Sequence, residues 1–89
     1  MTIIAVVDPG IRAGFIEALR RSVPPPWVVS TEPDGADVLV TERLDIGPDL
    51  AARAGPRLRL VATLDPGQAR VNVDIPVFAV PNTALSGVA

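Results

Sequence analysis

Short apolar runs stopped by proline and glycine constrain this chain more than any other feature. Thr2 to Val7, Trp27 to Ser30, Ala36 to Val40, Leu58 to Thr63 and Val77 to Val80 are rich in Val, Ile, Leu and Ala. Asp8-Pro9-Gly10, Pro24-Pro25-Pro26, Gly47-Pro48, Gly55-Pro56 and Pro81 punctuate them. Each run is too short for a helix and too continuously apolar for a strand with one wet face. Such runs predict strands buried on both sides, as in a parallel sheet between covering layers.

Two stretches between the runs carry helical period. Ile11, Phe15, Ile16 and Leu19 share one face over Ile11 to Ser22, with Arg12, Glu17, Arg20 and Arg21 on the other. The three prolines end that helix, because each lacks an amide donor and biases its predecessor away from helix. Pro48 suits a first helical position and Asp49 the positive helix end, which predicts a second helix over Pro48 to Ala54. Its inward residues are Leu50, Ala51 and Ala54, and Gly55-Pro56 closes it. Strands alternating with helices imply parallel pairing and right-handed crossovers. The expected fold is a flavodoxin-like α/β domain, a five-stranded parallel sheet in the order 2-1-3-4-5, over 89 residues. Thr31 to Asp37 is short for a crossover that normally takes a dozen residues.

Composition narrows the chemistry. All eight cations are Arg, and the chain holds no Lys, His, Cys or Tyr. The usual proton-transfer groups near neutral pH are therefore missing, leaving only carboxylates. Without Cys there is neither a disulfide framework nor thiolate chemistry. A net charge of −2, three aromatic residues (Phe15, Trp27 and Phe78) and no basic run beyond Arg20-Arg21 argue against a nucleic-acid surface. No apolar run approaches the ~20 residues that cross a bilayer, and Met1 to Val7 has no charged leader before Asp8. The expectation is a cytoplasmic domain with no membrane partner.

The order of residues from Ala36 onward resembles the amino-terminal, substrate-side domain of the D-isomer-specific 2-hydroxyacid dehydrogenases. ADVLVTERLDIGPDLAARAGPRLRLVAT follows that family's Ala-Asp, apolar strand, short helix and next strand. Asp65-Pro66-Gly67-Gln68-Ala69-Arg70-Val71-Asn72 stands where the family has Gly-x-Gly-x-Asp-Asn-Ile-Asp. Ile75-Pro76-Val77-Phe78-Ala79-Val80-Pro81 stands at its Gly-Ile-x-Val-x-Asn-x-Pro, and Val88-Ala89 at its Val-Ala. The resemblance implies that the main chain at Asp65 and Gly67 would grip the carboxylate of a small 2-hydroxy or 2-keto acid. It also implies that NAD would be held by a separate nucleotide-binding domain, which this sequence lacks. Asp65 and Pro66 depart from the motif, since Pro66 has no amide to donate. The chain alone is thus expected to bind no cofactor and to be catalytically silent, a fragment or relic of such an oxidoreductase.

Other readings stand beside this one. A non-catalytic interaction or oligomerisation domain fits the degenerate glycine turn. Ile4-Ala5-Val6-Val7-Asp8 also resembles the first strand of signalling receivers, but Pro9 replaces their second acid, no Lys is present, and Glu42 stands near their phosphoacceptor. Asp8, Glu42 and Asp65, each after a strand, could offer oxygens to Mg²⁺, although such acids more simply solvate turns and cap helices. Arg53, Arg57 and Arg59 could hold a phosphate, but read first as a solvated helix-end cluster beside Asp49. Trp27, after three prolines, reads first as a core anchor, with an interface residue as the alternative. Two helices are too few to cover five strands, so self-association as a homo-oligomer through the side of Val77 to Val80, with Leu85 and Val88 in the contact, is expected.

Overall fold

The computed structural model describes residues 2–64 and 69–79. The sequence-predicted elements form in order: β1 (Ile3–Val6), α1 (Ala13–Ser22), β2 (Val28–Ser30), β3 (Val38–Thr41), α2 (Pro48–Ala54), β4 (Leu60–Thr63) and β5 (Val77–Ala79). The strands make one wholly parallel sheet in the order β2-β1-β3-β4-β5. This is the flavodoxin-like α/β layout expected from the alternation of runs.

Register sorts the sheet into two faces. Ala5, Leu39, Val61 and Val77 line up on one, and Val6, Val40, Ala62 and Phe78 on the other. On the first face Ala5, Leu39 and Val61 are fully buried with Ala36, Ile46 and Ala54, under Leu50 and Ala51 of α2. On the second, Ile4, Val6, Val29 and Val40 pack with Ile11 beneath Phe15, Ile16 and Leu19 of α1. Phe15, Ile16 and Leu19 pack as the helical period predicts, but the helix starts at Ala13, so Ile11 is buried from the turn before it and not from the expected helical face.

The short crossover works because the strands are short. Returning alongside a strand of three or four residues needs only about 10–13 Å, which seven extended residues span without a helix. Thr31 to Asp37 makes the return on the α2 side. A turn closes where the Ala36 amide donates to the Pro33 carbonyl at 3.1 Å, and the Gly35 amide ties the segment to the Ala54 carbonyl at 3.0 Å. Gly35 has φ +73° and Gly55, capping α2, has φ +94°, both in the range that favours glycine. The third strand accordingly starts two residues later than its apolar run, at Val38, because Ala36 and Asp37 complete the turn.

Before β5 no helix forms among the described residues. Val71, Val73 and Ile75 instead alternate inward with exposed Arg70, Asn72 and Asp74 and pack on the α2 face of the core. Val71 bridges to Ile46, with the Ile46 amide donating to the Arg70 carbonyl and the Asn72 amide to the Ile46 carbonyl, both at 2.8 Å. A period of two lets an extended segment do what a helix would otherwise do.

Trp27 corrects the sequence expectation. It is 43% exposed, not a core anchor, and follows three exposed prolines.

Candidate functional site

In an open α/β sheet the crevice for a ligand lies where the strand order reverses, beyond the carboxyl ends of the strands. Here that point falls between β1 and β3. Asp8, two residues past β1, fills it. Its Oδ2 accepts from the main-chain amides of Arg43 at 2.7 Å and of Glu42 and Leu44, each at 3.1 Å. Its Oδ1 accepts from the Gly10 amide at 2.8 Å. Three consecutive amides converging on one oxygen form a concave nest for an anion.

The loop after β3 holds this shape through contacts of its own. The Thr41 hydroxyl donates to the Leu44 carbonyl at 2.6 Å, and the Leu64 amide donates to the Thr41 carbonyl at 2.8 Å. At its far end Ile46 is fully buried and clamped by the Arg70–Asn72 segment. The Arg70 amide also donates to Asp45 Oδ1 at 2.8 Å.

Burial pushes the Asp8 carboxyl upward, but the amides of Arg43, Gly10, Leu44 and Glu42 outweigh it and hold its pKa at about 2. Asp8 is thus an anion at every physiological pH, with both oxygens engaged by the main chain. That arrangement is a capping role; among the described residues no group of three or more His, Cys, Asp or Glu could hold a metal, and Asp65 of the candidate Mg²⁺ set lies outside them. Glu42 contributes its amide, while its carboxylate lies 3.9 Å from the Arg43 side chain. Asp65 and Gly67, the residues to which the resemblance assigns a substrate carboxylate, lie outside the described residues, as do Leu85 and Val88.

A second carboxylate, Asp37, sits at the opposite, amino edge of the sheet and is 1% exposed. Its Oδ2 accepts from the Ile3 amide at 2.8 Å and from Arg57 Nη2 at 3.4 Å, and its Oδ1 from Arg59 Nη2 at 3.3 Å. The Ile3 amide lowers its pKa against the opposing effect of burial, and Arg59 and Arg57 lower it further. The arginine group is solvated at the end of α2, as expected, and it also pairs with acids other than Asp49. Arg57 and Arg59 neutralise Asp37, and Arg53 lies 3.7 Å from Asp34 and 3.9 Å from Glu32. The parallel register brings these residues together, since the Arg59 amide also donates to the Asp37 carbonyl at 2.9 Å. Ala-Asp before one strand and Arg-x-Arg before its neighbour was the available signal for this pair.

The remaining distinctive surface is apolar. Phe78 is 57% exposed and Val77 48% exposed, on opposite faces of the edge strand β5. On the α1 side Phe78 stands in register with half-buried Ala62, beside half-buried Leu60 and Val38. α1 packs toward the β2 edge, and Val38 and Ala62 still join the cluster beneath it, so among the described residues of this row Phe78 is the exposed one. On the α2 side a cavity of about 660 Å³ lies between α2 and residues 72–75, lined by Ala51, Ala52, Val73 and Ile75 among others. No described helix is long and apolar enough to cross a membrane. In comparisons with known proteins, no family model matches the chain, and no curated protein or solved structure matches it.

Proposed function

We propose that this chain is a non-catalytic α/β docking domain that receives an apolar helix from a partner domain on the α1 side of β4 and β5. The observation that carries this reading is Phe78, 57% exposed at the β5 edge of the α1-side face, in register with half-buried Ala62 and beside half-buried Leu60. Sheets of this class bury both faces, and exposed apolar area is penalised at ~25 cal/mol per Å². Size selects the occupant. Two strands are about 10 Å wide, and the three residues of β5 and four of β4 run about 10–13 Å, which matches one helix of ~10 Å diameter. A patch of that size falls well short of the roughly 800 Å² per partner of a standard dimer. The engagement of Asp8, Asp37 and their neighbours in structural bonds agrees with a domain that does no chemistry alone. A cytoplasmic location fits the same reading.

A narrower reading is that the partner layer is a nucleotide-binding domain, making the pair a 2-hydroxyacid dehydrogenase-like oxidoreductase with NAD and a small 2-hydroxy or 2-keto acid. What favours it is that the resembling residues from Ala36 to Ala79 fall on β3, α2, β4 and β5 in the sequence the resemblance implies.

Sedimentation velocity from micromolar to millimolar protein separates the occupants. The docking reading expects a monomer throughout. A dimer abolished by Phe78→Asp would give the patch to a second copy and restore the homo-oligomer expectation. Nuclear Overhauser contacts from Phe78 to Leu85 or Val88 would give it to the chain's own end. Either result overturns the partner-helix reading.

A further inference from the structure

We propose that the main chain of Glu42, Arg43 and Leu44 is an oxyanion-binding cradle for small monocarboxylates, plugged in the native chain by the side chain of Asp8. Three features carry this. The amides converge on a single oxygen at 2.7–3.1 Å, the geometry of an anion nest and not of scattered loop bonds. The cradle lies at the strand-order reversal, where this architecture places ligands. Its shape also has supports independent of Asp8. Thr41 Oγ1 holds Leu44, the Leu64 amide holds Thr41, and buried Ile46 is clamped by the 70–72 segment.

Asp8 belongs to the Asp8-Pro9-Gly10 turn, where Pro9 and Gly10 are exposed, and reaches across to residues 34 to 36 positions later in the chain. A tethered carboxylate competes at a high effective concentration, so free carboxylates do not displace it from the native cradle. Removing the side chain leaves three converging donors in a preformed loop. Such donors, held without a partner, favour any small anion that restores their bonds. Acetate is the chemically matched ligand for an Asp8→Gly variant, because it supplies the methyl and carboxylate that the substitution deletes.

The test is amide ¹H–¹⁵N titration of Asp8→Gly with sodium acetate at constant ionic strength, balanced with sodium chloride. The expected result is a saturable shift of the Glu42, Arg43 and Leu44 amides, with half-saturation at roughly 10 mM and a higher melting temperature in acetate than in chloride. The native chain should give no saturable response. Asp8→Asn, which keeps one acceptor in the cradle, should respond at least tenfold more weakly than Asp8→Gly. Equal response of Asp8→Asn and Asp8→Gly would place the anion elsewhere and overturn the proposal. So would the absence of any saturable shift in folded Asp8→Gly. If Asp8→Gly is unfolded in chloride, recovery of the native spectrum in acetate supports the cradle. Failure to fold in either salt overturns it, since the loop would then have no shape without Asp8.

Discussion

Replacing Asp8 by Asn changes one oxygen to an amide group and removes a charge while keeping the side chain's shape. In the native chain both carboxylate oxygens accept, one from Gly10 and the other from the Glu42–Leu44 amides. Asn can accept on one side only, so its NH₂ must face a main-chain donor on the other. The difference between an ordinary carboxyl at 3.8 and one held at about 2 corresponds to about 2 kcal/mol of native-state stability at neutral pH. That is a large share of the roughly 4–13 kcal/mol expected for a domain of this length. The sign follows from the depressed value. The contribution is fully present above the unfolded pKa and is lost as pH falls toward about 2. Asp8→Asn should therefore be about 2 kcal/mol less stable than the native chain at pH 7, roughly 10 °C in melting temperature. The gap should narrow steadily between pH 5 and pH 2.5, the window set by those two pKa values. Urea unfolding followed by far-ultraviolet circular dichroism measures it. A gap that is constant over that pH range, or below about 0.5 kcal/mol at pH 7, would refute the assignment of Asp8 as an ionised cap.

Three further outcomes follow from named contacts. Gly55→Ala should cost about 1–3 kcal/mol by urea midpoint, because φ +94° with ψ −171° is a glycine conformation even though the site has open space for a Cβ. Leu39→Ala, at the fully buried centre of β3, should cost about 2–5 kcal/mol and broaden the thermal transition or abolish it. Asp37→Asn should lower the urea midpoint without changing its slope, and the loss should disappear in acid as the native Asp37, whose pKa is lowered, becomes protonated.

Much of this architecture is legible in the sequence. Pro48 and Gly55-Pro56 bracket α2 to the residue, because proline and glycine act through local backbone geometry that needs no partner. The apolar period at Phe15, Ile16 and Leu19 gives the face that α1 packs, although Ile11 falls before the helix, and the short runs give all five strands and their order. What local pattern cannot supply is which distant groups meet. Asp8 reads as a turn acid, yet three of its four donors come from the loop after β3. Arg57 and Arg59 read as solvated, which they are, but only the pairing of β3 with β4 shows that they also meet buried Asp37. Trp27 reads first as a core anchor, yet it is 43% exposed, and no local pattern separates the two outcomes.

The central claim is that the strip over β4 and β5 receives a helix. It is tested most directly by titrating ¹³C-methyl- and aromatic-labelled protein with a synthetic amphipathic peptide of about 14 residues bearing Leu at helical spacing on one face. The account predicts saturable shifts at Leu60, Ala62 and Phe78, none at Val29 under α1, and their loss in Phe78→Asp, whose own unfolding midpoint should match the native chain. An absence of shifts, or shifts centred on Ala52 and Val73 in the cavity beside α2, would contradict it.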